Sequence, residues 1–153
     1  MRPPSFCARD FPTCSGSTAA FDGRIKGLVS ICGLDPLRLD TADKGTEGIR
    51  HYSHLHGLLP RLGFFIGYED RVPFDFNEVL ALIAPKPVLL VAPTLDRYAR
   101  VPDVKREVEA SKGIYSLLGH SQALEFETPM DINRFPRSLQ ERAFDWVARQ
   151  QNP

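Results

Sequence analysis

Along this chain, apolar residues run continuously in one place and recur at helical spacing in three others. Pro87-Val-Leu-Leu-Val-Ala-Pro-Thr-Leu-Asp96 opens on an unbroken apolar stretch, the mark of a strand buried on both faces. Ile25 to Ile31 also reads as a strand and is closed by Gly33 and Pro36. Between them, Asp75-Phe-Asn-Glu78 has the form of a capping box, and Phe76, Val79, Leu80 and Ile83 follow at i, i+3, i+4, i+7. That spacing predicts a short amphipathic helix, stopped by Pro85 and Pro87. A second helix is predicted from Pro102, with Val104, Val108, Tyr115 and Leu118 on one face, Gly113 inside it and Gly119 at its end. Ala123-Leu-Glu-Phe-Glu127 alternates apolar with acidic, as a half-covered strand does. A last helix is expected from a second capping box, Ser138-Leu-Gln-Glu141, with a stripe of Leu139, Ala143, Trp146, Val147 and Gln150.

Two regions lack such periods. Residues 1–21 are rich in Pro, Ser, Thr and Cys and predict an irregular segment, with the folded domain at 22–153. Residues 37–72 form a long connection with glycines at 45, 48, 57, 63 and 67, and short helical pieces are expected at Thr46–His54 and Leu58–Phe65. The order strand, insert, helix, strand, helix, strand, helix implies βαβ units. The expected fold is therefore α/β: a three-stranded parallel sheet with flanking helices, the 87–92 strand central, and a helical insert between its first and second strands.

Composition adds mainly exclusions. The 153 residues suffice for one domain, and lysine plus arginine equal aspartate plus glutamate at 19 each. Zero net charge gives no basic surplus for nucleic acid or an anionic membrane. No apolar run approaches the roughly 18 residues of a membrane span. Met1-Arg-Pro-Pro-Ser-Phe-Cys7 lacks the apolar core of a secretory signal, so a cytoplasmic location is the default, with export open for longer relatives. Cys7, Cys14 and Cys32 are odd in number and lack repeated CxxC spacing, which supports neither a disulfide framework nor a zinc site; a free buried thiol is expected at Cys32.

From about residue 22 the chain resembles the carboxyl-terminal half of an α/β-hydrolase, closest in kind to dienelactone-hydrolase-like and acetyl-xylan-esterase-like serine hydrolases. The resemblance rests on Arg24-Ile-Lys-Gly-Leu-Val-Ser-Ile-Cys-Gly33, Tyr52-Ser-His-Leu-His-Gly-Leu-Leu-Pro-Arg61, the segment Ala84–Asp96, and Thr128-Pro-Met-Asp-Ile-Asn-Arg-Phe135. It implies a partial α/β-hydrolase fold and a chain order of nucleophile serine, acid, histidine. Asp96 then takes the place of the acid, and residues 128–135 form the loop that would carry the histidine. The nucleophile is expected before Asp22 on a G-x-S-x-G elbow, but Thr13-Cys-Ser-Gly-Ser-Thr-Ala-Ala20 contains none. Ser15, Ser17 and Cys14 lack the flanks that would activate them. The histidine loop offers Asn133 and Arg134, so nothing in it cycles a proton near neutral pH. His120 falls before the last strand, at the wrong end of the sheet.

His51, His54 and His56 lie within six residues, but H-x-x-H-x-H is not the H-E-x-x-H of a metalloprotease. They either pack structurally beside Tyr52, Leu55 and Leu58, or His54 and His56, with Asn133, line a substrate site over the catalytic edge. Asp131 is open between loop capping and site lining. Arg97, Arg100 and Arg134 could pair with Asp96 or with a carboxylate-bearing substrate. No metal or cofactor is implied.

Three functions follow. The first is a fragment of an esterase- or lactonase-like serine hydrolase that keeps the acid and is inactive alone. The second is an ester hydrolase with a non-standard nucleophile from residues 13–18 and a histidine from the insert. The third is a non-enzymatic fragment that self-associates through an exposed sheet edge at residues 25–31.

Overall fold

The computed structural model describes residues 5–8, 12–44, 48–55 and 59–151. Four parallel strands lie side by side in chain order: β1 (Ser5–Ala8), β2 (Ile25–Ile31), β3 (Val88–Val91) and β4 (Leu124–Glu127). The three expected strands form one sheet with β3 between β2 and β4. Leu28 aligns with Val88, and Val88 with Leu124.

Every residue of β3 is buried, which explains its continuous apolar run. Alternate side chains feed two cores, as the period of two requires. Leu28, Val88, Leu90 and Leu124 face helices α1 (Pro12–Phe21), α2 (Phe76–Ile83) and α3 (Val101–Leu117). Val29, Ile31, Leu89 and Val91 face α4 (Arg137–Gln151) through Ala143 and the fully buried Trp146. The result is helices on both faces of a parallel sheet.

Two differences from the sequence reading lie in residues 1–21. The segment expected to be irregular carries β1 and α1. Strand β2, expected to have an open edge, is instead paired along Phe6↔Gly27 to Ala8↔Val29. Ser5-Phe-Cys-Ala is too short and mixed to show a strand period, and backbone pairing to β2 supplies what the side chains do not. α1 is nearly devoid of amphipathic bias. It is held by Ala19 in the core and by the close approach at Gly16, where a Cβ would come within 3.1 Å of Val79 Cγ1.

The capping box at α2 is present, with Glu78 Oε2 accepting from Asp75 N at 2.7 Å. The Asp75 carboxylate also accepts from Leu37 N and Arg38 N, which pins the start of the insert to this helix. The second capping box does not form: α4 begins at Arg137, and Pro136 O accepts from Leu139 N and Gln140 N, so Ser138 lies inside the helix. Leu118 is half exposed beyond the end of α3, where Gly119 takes φ +76° and turns the chain. The 310 turn Pro60–Phe65 and the π-helical turn His51–Leu55 are the insert's expected helical pieces in shortened form. Gly48 has φ +59°, and a Cβ there would meet Asp40 O at 2.3 Å, so only glycine fits that approach.

Candidate functional site

Parallel strands send their carboxyl ends to one edge, and the loops after β2, β3 and β4 meet there. Backbone bonds zip the last two loops together: Thr94 N donates to Pro129 O at 2.9 Å and Leu95 N to Asp131 O at 3.0 Å. This places Asp96, 8% exposed, beside Asn133. Tyr98 N donates to Asp96 Oδ1 at 2.9 Å, and Asn133 Nδ2 donates to Asp96 Oδ2 at 3.0 Å. Both carboxylate oxygens are thus engaged, one by backbone and one by a side chain 37 residues away. Asp131 caps its own loop, accepting from Ile132 N at 2.8 Å and from Arg134 Nε at 2.7 Å.

Cys32, at the end of β2, is half buried rather than buried, has φ 55°, and its Sγ lies 3.8 Å from Arg134 O. From the insert, the His51 ring stands 6.4 Å from the Tyr98 ring and 6.2 Å from that of Tyr52. Burial raises the Tyr52 phenol well above its ordinary value, and the charges of Asp35, Asp40 and Asp96 add to the effect. His51 and Tyr52 therefore belong to the neighbourhood of Asp96. The side chain of His54 and all of His56 lie outside the described residues. Among the described residues, no group of three or more His, Cys, Asp or Glu side chains could hold a metal ion. His120 is exposed just before β4, at the opposite edge.

Of the nucleophile candidates, Ser15 and Ser17 fall inside α1, not in a strand-to-helix turn, and Cys14 falls in its first turn. Residues 9–11, which join β1 to α1, read Arg-Asp-Phe in the sequence and lie outside the described residues.

Beside Asp96 the insert carries a buried ionic cluster that the sequence reading missed. Lys44 Nζ lies 2.8 Å from Asp35 Oδ1, 3.9 Å from Asp40 Oδ1 and 4.0 Å from Asp103 Oδ2. Asp35 and Asp40 are hydrogen-bonded to each other, and Asp40 is 3% exposed. Burial, then the charge of Asp35 and the bond to it, push the Asp40 carboxyl up to about 8. Burial raises the Asp35 carboxyl as well, but Lys44, 2.8 Å away, pulls against that rise, so the geometry favours the proton on Asp40. The i, i+4 spacing of Asp40 and Lys44 was readable, but Asp35 joins them only through the fold.

No family model matches this sequence, and no curated protein does either. Solved structures do. A promiscuous CE15 esterase from a marine bacterial metagenome superposes with a TM-score of 0.79 at 17% identity, over 94% of this chain and 41% of its own. A carbohydrate esterase family 15 glucuronoyl esterase from Caldicellulosiruptor kristjansonii gives 0.72 at 18% identity, over 92% and 41%. An esterase from Pyrococcus furiosus gives 0.61 at 14%, over 94% and 52%. At these identities the likeness is one of fold, and the fold is that of α/β-hydrolases. The chain spans about two-fifths of the length of the first two. The 94% coverage exceeds what residues 22–153 alone amount to, so the likeness reaches into the amino-terminal segment. No described helix is long and apolar enough to cross a membrane.

Proposed function

We propose that this chain is the carboxyl-terminal part of an esterase-like hydrolase that keeps the catalytic acid, Asp96, in place and does not hydrolyse esters by itself. The observation that carries the reading is the Asp96–Asn133 hydrogen bond at 3.0 Å. In a triad the acid orients an imidazole that takes the nucleophile's proton. Here the side chain that reaches the acid from the loop after β4 is an amide, which donates to the carboxylate but has no proton to cycle. The sequence Arg9-Asp-Phe11 between β1 and α1 supports the same reading, since it contains no serine, threonine or cysteine. The esterases that share the fold make an ester the expected substrate class of the complete site.

The test is labelling of the purified chain with a fluorophosphonate probe, together with turnover of p-nitrophenyl acetate. We expect no labelled serine and no turnover above a heat-denatured control; labelling at Ser15 or Ser17 refutes the reading. One observation favours a second reading, hydrolysis with a base from the insert: the His51 ring lies against Tyr98, two residues from the acid. That reading requires esterase activity abolished by His51→Ala.

A further inference from the structure

A cleft of about 300 Å³ opens at the same edge, between the insert and the β3–α3 loop, lined by Thr41, Asp43, Lys44, Arg97 and Arg100. Ligand crevices of parallel sheets lie between loops of this kind. Among the described residues no acidic or carbonyl oxygen takes the Arg97 guanidinium, whose contact is the Tyr98 ring at 4.8 Å. Arg100 gives its Nε to Asp103 Oδ2 at 3.0 Å, which leaves its two terminal nitrogens available. Lys44 also lines the cleft, but its ammonium is buried and held by Asp35 at 2.8 Å, with Asp40 and Asp103 within 4.0 Å, so its charge is largely balanced. Two guanidinium groups therefore line one cleft, and their positive charge favours an anion there.

We propose that this cleft binds a small hydroxycarboxylate, its carboxylate held by Arg97 and Arg100 and its hydroxyl groups by Thr41 and Asp43. The planar fork of arginine matches the two oxygens of a carboxylate. Asp43 on the rim selects among anions: it accepts from a hydroxyl group and repels a doubly charged phosphate. The proton held by Asp40 leaves the wall behind Lys44 one negative charge poorer, which favours an anion in front of it. Binding is read here without turnover, so this inference stands or falls separately from the proposed loss of catalysis.

The experiment is an NMR titration of the full chain with D-gluconate, following the Nε–H resonances of Arg97 and Arg100, with inorganic phosphate and neutral sorbitol as comparison ligands. We expect gluconate to shift both resonances and sorbitol neither. Arg97→Ala with Arg100→Ala should weaken gluconate binding by at least about tenfold, the loss of charge-assisted pairs. Arg97→Gln alone should weaken it less. Arg149→Ala, an exposed arginine on α4, should leave it unchanged. Asp43→Asn should strengthen phosphate binding relative to gluconate. The proposal is overturned if gluconate shifts neither arginine, if the double variant binds as the parent does, or if the parent prefers phosphate.

Discussion

Replacing Asp40 by asparagine tests the buried carboxyl pair directly. The amide keeps the size of the protonated acid and can still donate to Asp35, but it cannot ionise. In the folded chain burial and the Asp35 charge raise the Asp40 carboxyl from 3.8 to about 8. Unfolding returns it to the ordinary carboxylate range. Below pH 3.8 the group is neutral in both states and costs nothing. As pH rises from there, the unfolded chain gains by ionising and the folded chain does not, so stability is lost until the folded carboxyl itself titrates near 8. A shift of about four units, at ~1.4 kcal/mol each, sets a ceiling of about 6 kcal/mol. The Lys44 ammonium is already counted in that shift; local relaxation reduces the ceiling, and we expect at least ~2 kcal/mol to be visible. The assay is urea denaturation of both proteins between pH 4 and 9. The difference in stability, Asp40→Asn minus parent, should be near zero at pH 4, grow with pH and level off near 8. A difference that stays flat with pH would refute the shared-proton assignment, and one that falls with pH would reverse its sign.

Other expectations follow from the same geometry. Trp146→Ala removes a fully buried ring and its 2.6 Å bond to Glu125, and should cost about 3–5 kcal/mol in urea denaturation. Asn133→His places an imidazole beside the buried Asp96 carboxylate; its pKa, followed by NMR, should lie above the ordinary ~6.5. That charged pair should stabilise the variant below about pH 6, with the gain lost as pH rises through the raised value. An unshifted histidine would mean that residue 133 does not face the acid. With β1 paired to β2, the edge on that side of the sheet is β1; if β1 is a docking template, sedimentation velocity should show concentration-dependent self-association, and a monodisperse monomer melting above about 55 °C would exclude it.

Strands β2, β3 and β4 and helices α2 and α3 were legible because their side chains repeat with the period of the element that buries them. Val88–Val91 lies between two sheet neighbours and two helical layers, so every position is apolar; Leu124–Glu127 is half covered, so it alternates. Asp96 could be picked out by its place after such a strand. The tertiary structure decided what depends on partners distant in the chain. Ser5–Ala8 is a strand through pairing with β2, and Pro12–Phe21 a helix through packing on α2, where local propensity argues for neither. Asn133 meets Asp96 because two loops are zipped by backbone bonds, which leave no mark on composition or period. The proton on Asp40 is likewise a product of burial: a carboxyl on an open loop titrates near 4, and only the closure of the insert over Asp35 and Lys44 removes the water that would keep it so.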